Sequence, residues 1–361
     1  MVDIFSFIPE ILTAFLVTSA TLNILARIAP LIHLTDNPSE RKQHIGEIPV
    51  VGGLAIFLSL TIGALIWGDI PEAQMTASGR EIIPTFLLAS AVLIAGGVID
   101  DRYDSGALLK FLSEALAAII VIEALDLRIT YLGDLFGVGM IVMSDAVSYG
   151  FTVIAIVGLI NAFNMLDGID GLLASLIIST IFAFHLLTLT IPGFISLYLV
   201  ASLTTFLFSN FGVTPLIPKT FLGDAGSRLL GFVVVCLLLG AASAQIGNRK
   251  LIEPVTALFL VAIPLFDMVF IIIRRIASGS SPVNPDRSHI HHLLTDRGLS
   301  HPLATSIIVF VNLLMSSLGL LLHRLEAPEY YQLALFITLF IIYFVLMGFF
   351  WKKFPTLNTS T

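Results

Sequence analysis

The chain has 361 residues, of which 57% are hydrophobic and only 12% charged. A soluble domain carries about 25% charged residues, so the composition excludes an ordinary soluble protein and indicates a helical membrane protein with many spans. The net charge of −7 says little about partners, because most of the chain is expected to lie in lipid, and the single cysteine excludes an intrachain disulfide.

Apolar runs of about 20 residues recur along the chain and predict eleven transmembrane helices. We therefore expect an all-α, polytopic protein with one integral membrane catalytic domain over residues 1–361 and without a cleavable secretory signal. The predicted spans lie near residues 4–26, 50–67, 82–99, 107–125, 147–166, 171–189, 192–211, 227–245, 255–275, 303–323 and 332–351.

The distribution of Lys and Arg predicts how these helices are oriented. Most of the 18 basic residues lie in or beside the loops of one face, which we expect to be cytoplasmic. This places the N-terminus outside and the C-terminus in the cytoplasm, and every dense polar cluster falls on the cytoplasmic face. The opposite face carries Arg80, Arg128, Arg249, Lys250 and Arg324.

The first cytoplasmic loop contains Lys42 and His44, followed by Gly52 and Gly53. These cations are suited to bind a phosphate, and the glycines would allow close approach of the backbone. Ordinary basic charge at the inner membrane face is the alternative, and it is favoured for this loop taken alone.

The third predicted span ends in two adjacent carboxylates, Asp100 and Asp101, and Lys110 lies at the start of the next span. Adjacent carboxylates repel each other, so the pair is suited to a metal, a phosphate-bound metal or a general base. The alternatives are a solvated helix end for the acids and an interface anchor for Lys110.

The fifth predicted span ends in a stretch where amides and carboxylates recur every three residues. On a helix these groups would share one slowly rotating ridge, and two glycines would then let the backbone turn. A carboxylate at a membrane boundary is costly unless it is paired, hydrated or bound to a cation, so this stretch is a functional hypothesis; a polar helix end is the alternative. The residues are Asn161, Asn164, Asp167 and Asp170, with Gly168 and Gly171.

Asp224 is flanked by Gly223 and Gly226 at a predicted helix start. Such a carboxylate can bind Mg²⁺ while neighbouring backbone N–H groups meet phosphate oxygens. A simple N-cap by Asp224 or Ser227 is the alternative, and both roles can coexist. Asp267 lies alone inside the ninth predicted span and ranks below the other acids as a candidate.

The longest cytoplasmic loop contains Arg287, His289, His291 and His292. Three histidines within four positions are compatible with zinc, but no cysteine lies nearby, and zinc has no need of the arginine. Arginine and histidine together favour a diphosphate ligand.

Taken together, the acids and amides can supply oxygen ligands to Mg²⁺, with Mn²⁺ as an alternative ion, while the basic side chains complement phosphates. Phosphoryl transfer requires mainly such positioning and charge neutralisation. We therefore expect the clusters to converge at one cytosol-facing pocket for a lipidic and a cytosolic phosphate substrate. No P-loop motif is present, and no nucleic acid is expected as a partner.

Four motifs together resemble the polyprenyl-phosphate N-acetylhexosamine-1-phosphate transferases, glycosyltransferase family 4, over nearly the whole chain. The last motif resembles the branch that uses UDP-N-acetylglucosamine, whereas the peptidoglycan branch uses UDP-N-acetylmuramoyl-pentapeptide and remains the alternative. The motifs are Asp100-Asp101, residues 161–171, residues 223–227 and residues 285–292.

The resemblance implies transfer of N-acetylglucosamine-1-phosphate from UDP-GlcNAc to undecaprenyl phosphate in the bacterial inner membrane, as the first membrane step of cell-envelope polysaccharides such as O-antigen or teichoic acid. By carry-over, Asp224 and Asn164 would ligate the metal. Asp100 and Asp101 would orient or deprotonate the lipid phosphate. Asp167 and Asp170 would complete the catalytic set and shape the nucleotide pocket. Substrate binding is expected of Lys42, His44, Lys110, Asn161, Arg287, His289, His291 and His292.

Three questions stay open at this point. The reaction can proceed through a covalent phospho-enzyme or by direct attack of the ionised lipid phosphate, and direct attack is favoured. A homodimer is one of the open oligomeric states. A transporter of phosphorylated solutes is the alternative from another class; it predicts polar residues and broken helices at mid-span, whereas the charges here gather at one face.

Overall fold

The computed structural model describes residues 7–36, 46–67, 82–190, 193–246, 249–281 and 288–353. This part is mainly helical, with three antiparallel pairs of very short strands, so the predicted all-α, polytopic fold is confirmed. In chain order the strands are β1 (Thr35–Asp36), β2 (Ile48–Pro49), β3 (Tyr131–Gly133), β4 (Ile141–Val142), β5 (Gln245–Ile246) and β6 (Arg249–Lys250). The helices are α1 (Ile8–Ile28), α2 (Gly52–Trp67), α3 (Ile82–Tyr103), α4 (Ala107–Leu125), α5 (Asp145–Leu166), α6 (Leu172–Thr188), α7 (Phe194–Asn210), α8 (Gly223–Ser243), α9 (Pro254–Leu260), α10 (Ala262–Ala277), α11 (Ile290–Thr295), α12 (His301–Arg324) and α13 (Glu329–Lys353).

A helix, or a bent pair of helices, lies at each of the eleven positions where a span is predicted. In the described part of the chain, six helices are long and apolar enough to cross a membrane, and the bent pair would make a seventh span. Three of the others are apolar but shorter, and α4 carries Lys110, Glu114 and Glu123 within its apolar run. The count of eleven spans and the orientation of the termini therefore stay predictions.

The ninth predicted span is not one straight helix. It consists of α9 and α10, which meet at Val261 with a bend of 84°. Pro264 has no N–H with which to bond the carbonyl of Leu260, so the helical ladder is interrupted at this point. The hydroxyl of Thr180 donates to that carbonyl at 3.4 Å. The sequence predicted a span near residues 255–275, and the break within it was not predicted.

The chain divides into two compact units, each assembled from segments that are not consecutive in sequence. Unit 1 comprises Met1–Leu127, Val153–Ile160 and Thr190–Val234, and unit 2 comprises Arg128–Thr152, Asn161–Leu189 and Val235–Thr361.

In unit 1, α3 packs along α4, and α1 packs against α2 and α7. In unit 2, α12 packs against α6 and α9, and aromatic side chains fill the space beside α13. The buried core of that region consists of Phe259, Ala262, Phe266 and Phe336.

Candidate active site

Close backbone contacts fix the first turn of α8 in unit 1. A Cβ atom added to Gly53 of α2 would lie 2.1 Å from the Cα of Gly226, and one added to Gly97 of α3 would lie 2.2 Å from the Cα of Ala225. Small residues at helix contacts allow backbones to approach this closely in membrane proteins. The start of α8 is therefore wedged between α2 and α3.

The segment before α8 is held by main-chain hydrogen bonds to the segment before α2. Phe221 donates to the carbonyl of Pro49 at 2.8 Å, and Gly52 donates back to Phe221 at 2.9 Å. Gly223 then adopts a φ of +77°, where a Cβ would also collide with Val50 and with the carboxylate of Asp101. The glycine before Asp224 is thus required by both conformation and space.

Two of the predicted site carboxylates share one ammonium group. Lys110 Nζ lies 2.7 Å from Asp100 Oδ2 and 2.6 Å from Asp224 Oδ2, although the three residues come from three different helices. Ser105 donates its hydroxyl to the other oxygen of Asp100 at 2.9 Å. The Lys110 and Asp224 side chains are 30% and 33% exposed, so this cluster is open to a ligand.

Asp101 is engaged by main-chain groups. Its Oδ1 accepts the N–H of Asp224 at 2.8 Å, and its Oδ2 accepts the N–H of Ala225 at 3.2 Å. A carboxylate at this place satisfies two of the unpaired N–H groups of a helix start and complements the positive end of the helix dipole. Asp101 therefore positions the start of α8, whereas the adjacent Asp100 contacts the ammonium of Lys110.

A buried ion pair lies next to the Lys110 cluster, and it was not predicted from the sequence. Arg228 Nη1 lies 3.7 Å from Glu114 Oε1, both side chains being 1% exposed, and it donates to the hydroxyl of Ser113 at 3.2 Å. Arg228 Nε also donates to the carbonyl of Asp224. Glu114 follows Lys110 by one helical turn, which is the signal that could have identified it.

In unit 2, the stretch rich in amides and carboxylates begins on a helix and continues into a turn. α5 ends at Leu166, so Asn161 and Asn164 lie on its last turns, whereas Asp167 is the C-cap and Asp170 lies in the turn that leads to Gly171 at a φ of +75°. The predicted end of this span at residue 166 is confirmed, and because the helix stops before the first aspartate, Asp167 and Asp170 do not continue the helical ridge of Asn161 and Asn164.

Gly168, which follows Asp167, allows a side chain to pack closely against the backbone. Gly168 does not have a positive φ, but a Cβ atom there would lie 2.0 Å from Nε2 of His291. The histidine ring thus sits directly against the aspartate turn, and it is only 1% exposed. The structure brings the predicted aspartate turn and the predicted histidine loop together within unit 2.

The histidine loop is anchored by Asp267, the acid that ranked lowest in the sequence. His289 Nδ1 lies 2.6 Å from Asp267 Oδ2, and the ring of His289 stacks on that of His291 at 5.6 Å between centroids. His292 lies beside His291 at 4.2 Å between ring centroids. Asp267 comes 22 positions before His289, so no local pattern indicates the pairing.

Three predicted binding residues, Lys42, His44 and Arg287, lie outside the described residues. The predicted convergence of all clusters at one pocket stays a prediction. The structure shows one polar cluster in unit 1, at Asp100, Lys110 and Asp224, and another in unit 2.

The unit 1 cluster has a donor set that fits a hydrated divalent cation. One oxygen each of Asp100 and Asp224 already contacts one positive centre, the ammonium of Lys110, and a third carboxylate, Asp101, accepts the backbone N–H of Asp224. Mg²⁺ typically takes one or two protein carboxylates and completes its shell with water and phosphate oxygens. Among the described residues, no three His, Cys, Asp or Glu side chains form a ready-made metal cage, which Mg²⁺ does not require.

Comparisons with known proteins agree with the motifs on which this site is built. Residues 83–242 match the family model described as glycosyl transferase family 4. The chain is 36% identical to a Yersinia pestis protein named undecaprenyl-phosphate alpha-N-acetylglucosaminyl 1-phosphate transferase, with 92% of this chain and 89% of that protein covered. It is 34% identical to the protein of the same name from Escherichia coli K12, with the same coverage.

A more distant relative is the Bacillus subtilis protein named probable undecaprenyl-phosphate N-acetylglucosaminyl 1-phosphate transferase, which is 31% identical over 95% of this chain and 88% of its own length. These matches extend over both compact units. The chain therefore belongs to glycosyltransferase family 4, the polyprenyl-phosphate N-acetylhexosamine-1-phosphate transferases.

Proposed function

We propose that this protein transfers N-acetylglucosamine-1-phosphate from UDP-GlcNAc to undecaprenyl phosphate, giving undecaprenyl-diphosphate-GlcNAc and UMP. The observation that carries the proposal is the pair of carboxylates, Asp100 and Asp224, that share the ammonium of Lys110 in a chain of this family. The relatives are named for both the lipid phosphate and the sugar 1-phosphate.

In the proposed reaction, an oxygen of the lipid phosphate forms a bond to the β-phosphorus of UDP-GlcNAc. The bond between that phosphorus and the bridging oxygen breaks, and UMP leaves with the bridging oxygen and its electron pair. One diphosphate linkage replaces another, so the reaction is close to balanced and reversible. The lipid phosphate is already ionised at neutral pH, which favours direct attack over a covalent phospho-enzyme.

The unit 1 residues have distinct roles in this proposal. Lys110 binds an oxygen of the lipid phosphate, and Asp100 orients the ammonium that does so. Asp224, assisted by the neighbouring carboxylate of Asp100, would hold Mg²⁺, or Mn²⁺ in its place, and that ion would supply charge neutralisation to the diphosphate. Asp101 keeps the first turn of α8 in place, and thereby the carboxylate of Asp224.

The unit 2 residues are assigned to the nucleotide sugar. The metal-ligand role of Asn164 stays a prediction from the sequence, and Asp167 and Asp170 are proposed to shape the nucleotide pocket from the turn after α5. His289 and its neighbours His291 and His292, with Arg287, bind the diphosphate or the sugar. Asn161 and the first-loop residues Lys42 and His44 complete the proposed set.

By the distribution of basic residues, we place the site at the cytoplasmic face of the bacterial inner membrane, with the N-terminus outside. This is the face that UDP-GlcNAc reaches from the cytosol. The product would serve as the first lipid-linked intermediate of an envelope polysaccharide.

One structural feature belongs to the competing transporter hypothesis, namely the broken helix pair α9 and α10. The residues at that break are apolar and buried, from Leu260 to Ala262. A transport site at a broken helix requires exposed polar backbone or side chains that meet the solute. The break therefore does not favour transport over phosphoryl transfer.

The decisive experiment incubates detergent-purified protein with Mg²⁺, undecaprenyl phosphate and UDP-GlcNAc, or UDP-N-acetylmuramoyl-pentapeptide in a parallel reaction. We expect UMP and a lipid-linked sugar from UDP-GlcNAc alone. Turnover of the pentapeptide donor would assign the protein to the other branch. Solute uptake into vesicles without UMP release would refute the enzymatic function.

A further inference from the structure

We propose that Asp267 is a positioning residue that fixes the ring of His289, and through it the histidine cluster His289, His291 and His292, for binding of the nucleotide sugar. The proposal rests on the proposed function for the role of the histidines, but the contacts that carry it lie entirely within unit 2. A carboxylate inside an apolar helix is energetically costly unless it is paired, and the contact with His289 explains why one is present at position 267.

Asp267 is fully buried and accepts hydrogen bonds at both oxygens. Oδ1 accepts the N–H of Ile290 at 2.9 Å and the hydroxyl of Tyr343 at 2.9 Å, while Oδ2 faces His289 Nδ1 at 2.6 Å. An ionised carboxylate can only accept, so Nδ1 of His289 carries the hydrogen. The other ring nitrogen, Nε2, is then the one left to meet a ligand.

The same carboxylate also orders the rest of the cluster. The N–H of Ile290 that Asp267 accepts is at the start of α11, the helix that carries His291 and His292. The ring of His291 lies parallel to that of His289, within 3°, and abuts Gly168 beside Asp167. A displacement of the His289 ring would therefore shift the ring of His291 and, through it, the turn that carries Asp167.

The substitution Asp267→Asn tests this arrangement with little change in shape. The N–H of Ile290 can only donate, so the amide oxygen of the new side chain must occupy the Oδ1 position. Its NH₂ group then faces His289 and requires a lone pair on Nδ1, which moves the ring hydrogen to Nε2. The variant is expected to reverse the tautomer of one histidine while the helices stay in place.

The first measurement is ¹⁵N NMR of detergent-solubilised protein with labelled histidine, in which the His289→Ala variant identifies the His289 signals among the eight histidines. We expect Nδ1 to carry hydrogen in the wild type and to bear a lone pair in Asp267→Asn. The matched controls are Tyr343→Phe, which removes one donor from Oδ1, and Asp145→Asn, whose side chain is 96% exposed; in both, Nδ1 should keep its hydrogen. A wild-type Nδ1 without hydrogen would overturn the proposal, even if the variant failed to fold.

The second measurement is the kinetics of UMP release. By analogy with the loss of the hydrogen-bond partner of a metal-ligating histidine, Asp267→Asn should lower kcat/KM for UDP-GlcNAc by about 10- to 100-fold. It should leave KM for undecaprenyl phosphate unchanged. In a His289→Ala background the same substitution should have little further effect, because Asp267 acts through that ring. Fully additive losses would show that Asp267 supports the fold only. Absence of turnover in the wild type would refute the proposed function, whereas the NMR result would still test the positioning role.

Discussion

The shared ammonium in unit 1 leads to a prediction in which metal affinity and turnover change in opposite directions. Lys110→Met replaces the ammonium by an apolar side chain of similar length. The oxygens of Asp100 and Asp224 that now lie 2.7 and 2.6 Å from Nζ would then face each other without it, about 5 Å apart at most.

Two unit charges at about 5 Å repel by about 3 kcal/mol at an effective dielectric constant of about 20. Since Lys110 and Asp224 are about one third exposed, solvent screening reduces this repulsion to about 1–2 kcal/mol. A divalent cation that binds between these carboxylates relieves the repulsion and no longer competes with the lysine. We therefore expect the concentration of Mg²⁺ at half-maximal binding to fall by about 5- to 30-fold.

Turnover should nevertheless decrease, because the lipid phosphate loses a charged hydrogen-bond donor. A contact of this kind contributes about 1.5–3 kcal/mol, so kcat/KM for undecaprenyl phosphate should fall by at least about 10-fold. The assays are a Mn²⁺ titration followed by electron paramagnetic resonance, with Mg²⁺ as competitor, and UMP release at saturating metal.

Arg27→Met is the matched control, because it removes the same charge from an exposed position in the last turn of α1. It should leave both quantities unchanged. Lys110→Arg tests the geometry of the contact, since it keeps the positive charge but places it on a planar guanidinium group. A Lys110→Met variant with unchanged or weaker metal affinity would refute the argument that the ammonium and the metal share these carboxylates.

Three further outcomes follow from the unit 1 contacts. Asp224→Asn should abolish turnover without unfolding the protein, as measured by UMP release and thermal denaturation; retained activity would remove Asp224 as the metal ligand. Asp101→Ala should lower the free energy of unfolding by about 1–3 kcal/mol, because two N–H groups at the start of α8 lose their acceptor; an unchanged thermal midpoint would contradict the capping role. Glu114→Gln should destabilise the protein by about 3 kcal/mol by leaving Arg228 buried without its charge partner, and adding Arg228→Met should restore part of that stability; additive losses in the double variant would argue against the pair.

The sequence predicted the helical positions well, because apolar runs report burial in lipid and protein alike. It also predicted the end of the fifth span at residue 166, where α5 ends, and the turn at Gly171, which has a φ of +75°. The contact between Lys110 and the acids was not predicted as an ion pair, although all three residues were candidates. Such contacts depend on which helices are neighbours, and a single sequence does not report this.

The differences between sequence and structure have local physical causes. The ridge expected on a helix extends only over Asn161 and Asn164, because α5 ends at Leu166 and the two aspartates lie in the turn that follows. The break within the ninth predicted span was not predicted, because the apolar run continues on both sides of Pro264. Asp267 was undervalued because its partners, His289 and Tyr343, are distant in sequence.

The bend between α9 and α10 restricts the order in which substitutions can accumulate. Pro264→Ala alone would return an N–H that competes with Thr180 for the Leu260 carbonyl, and a straighter helix would carry Asp267, three residues on, away from His289. Thr180→Val alone would leave that carbonyl without its hydroxyl donor in an apolar interior. The effect of a substitution at either position therefore depends on the residue at the other, so that Pro264 and Thr180 constrain the histidine cluster as a pair.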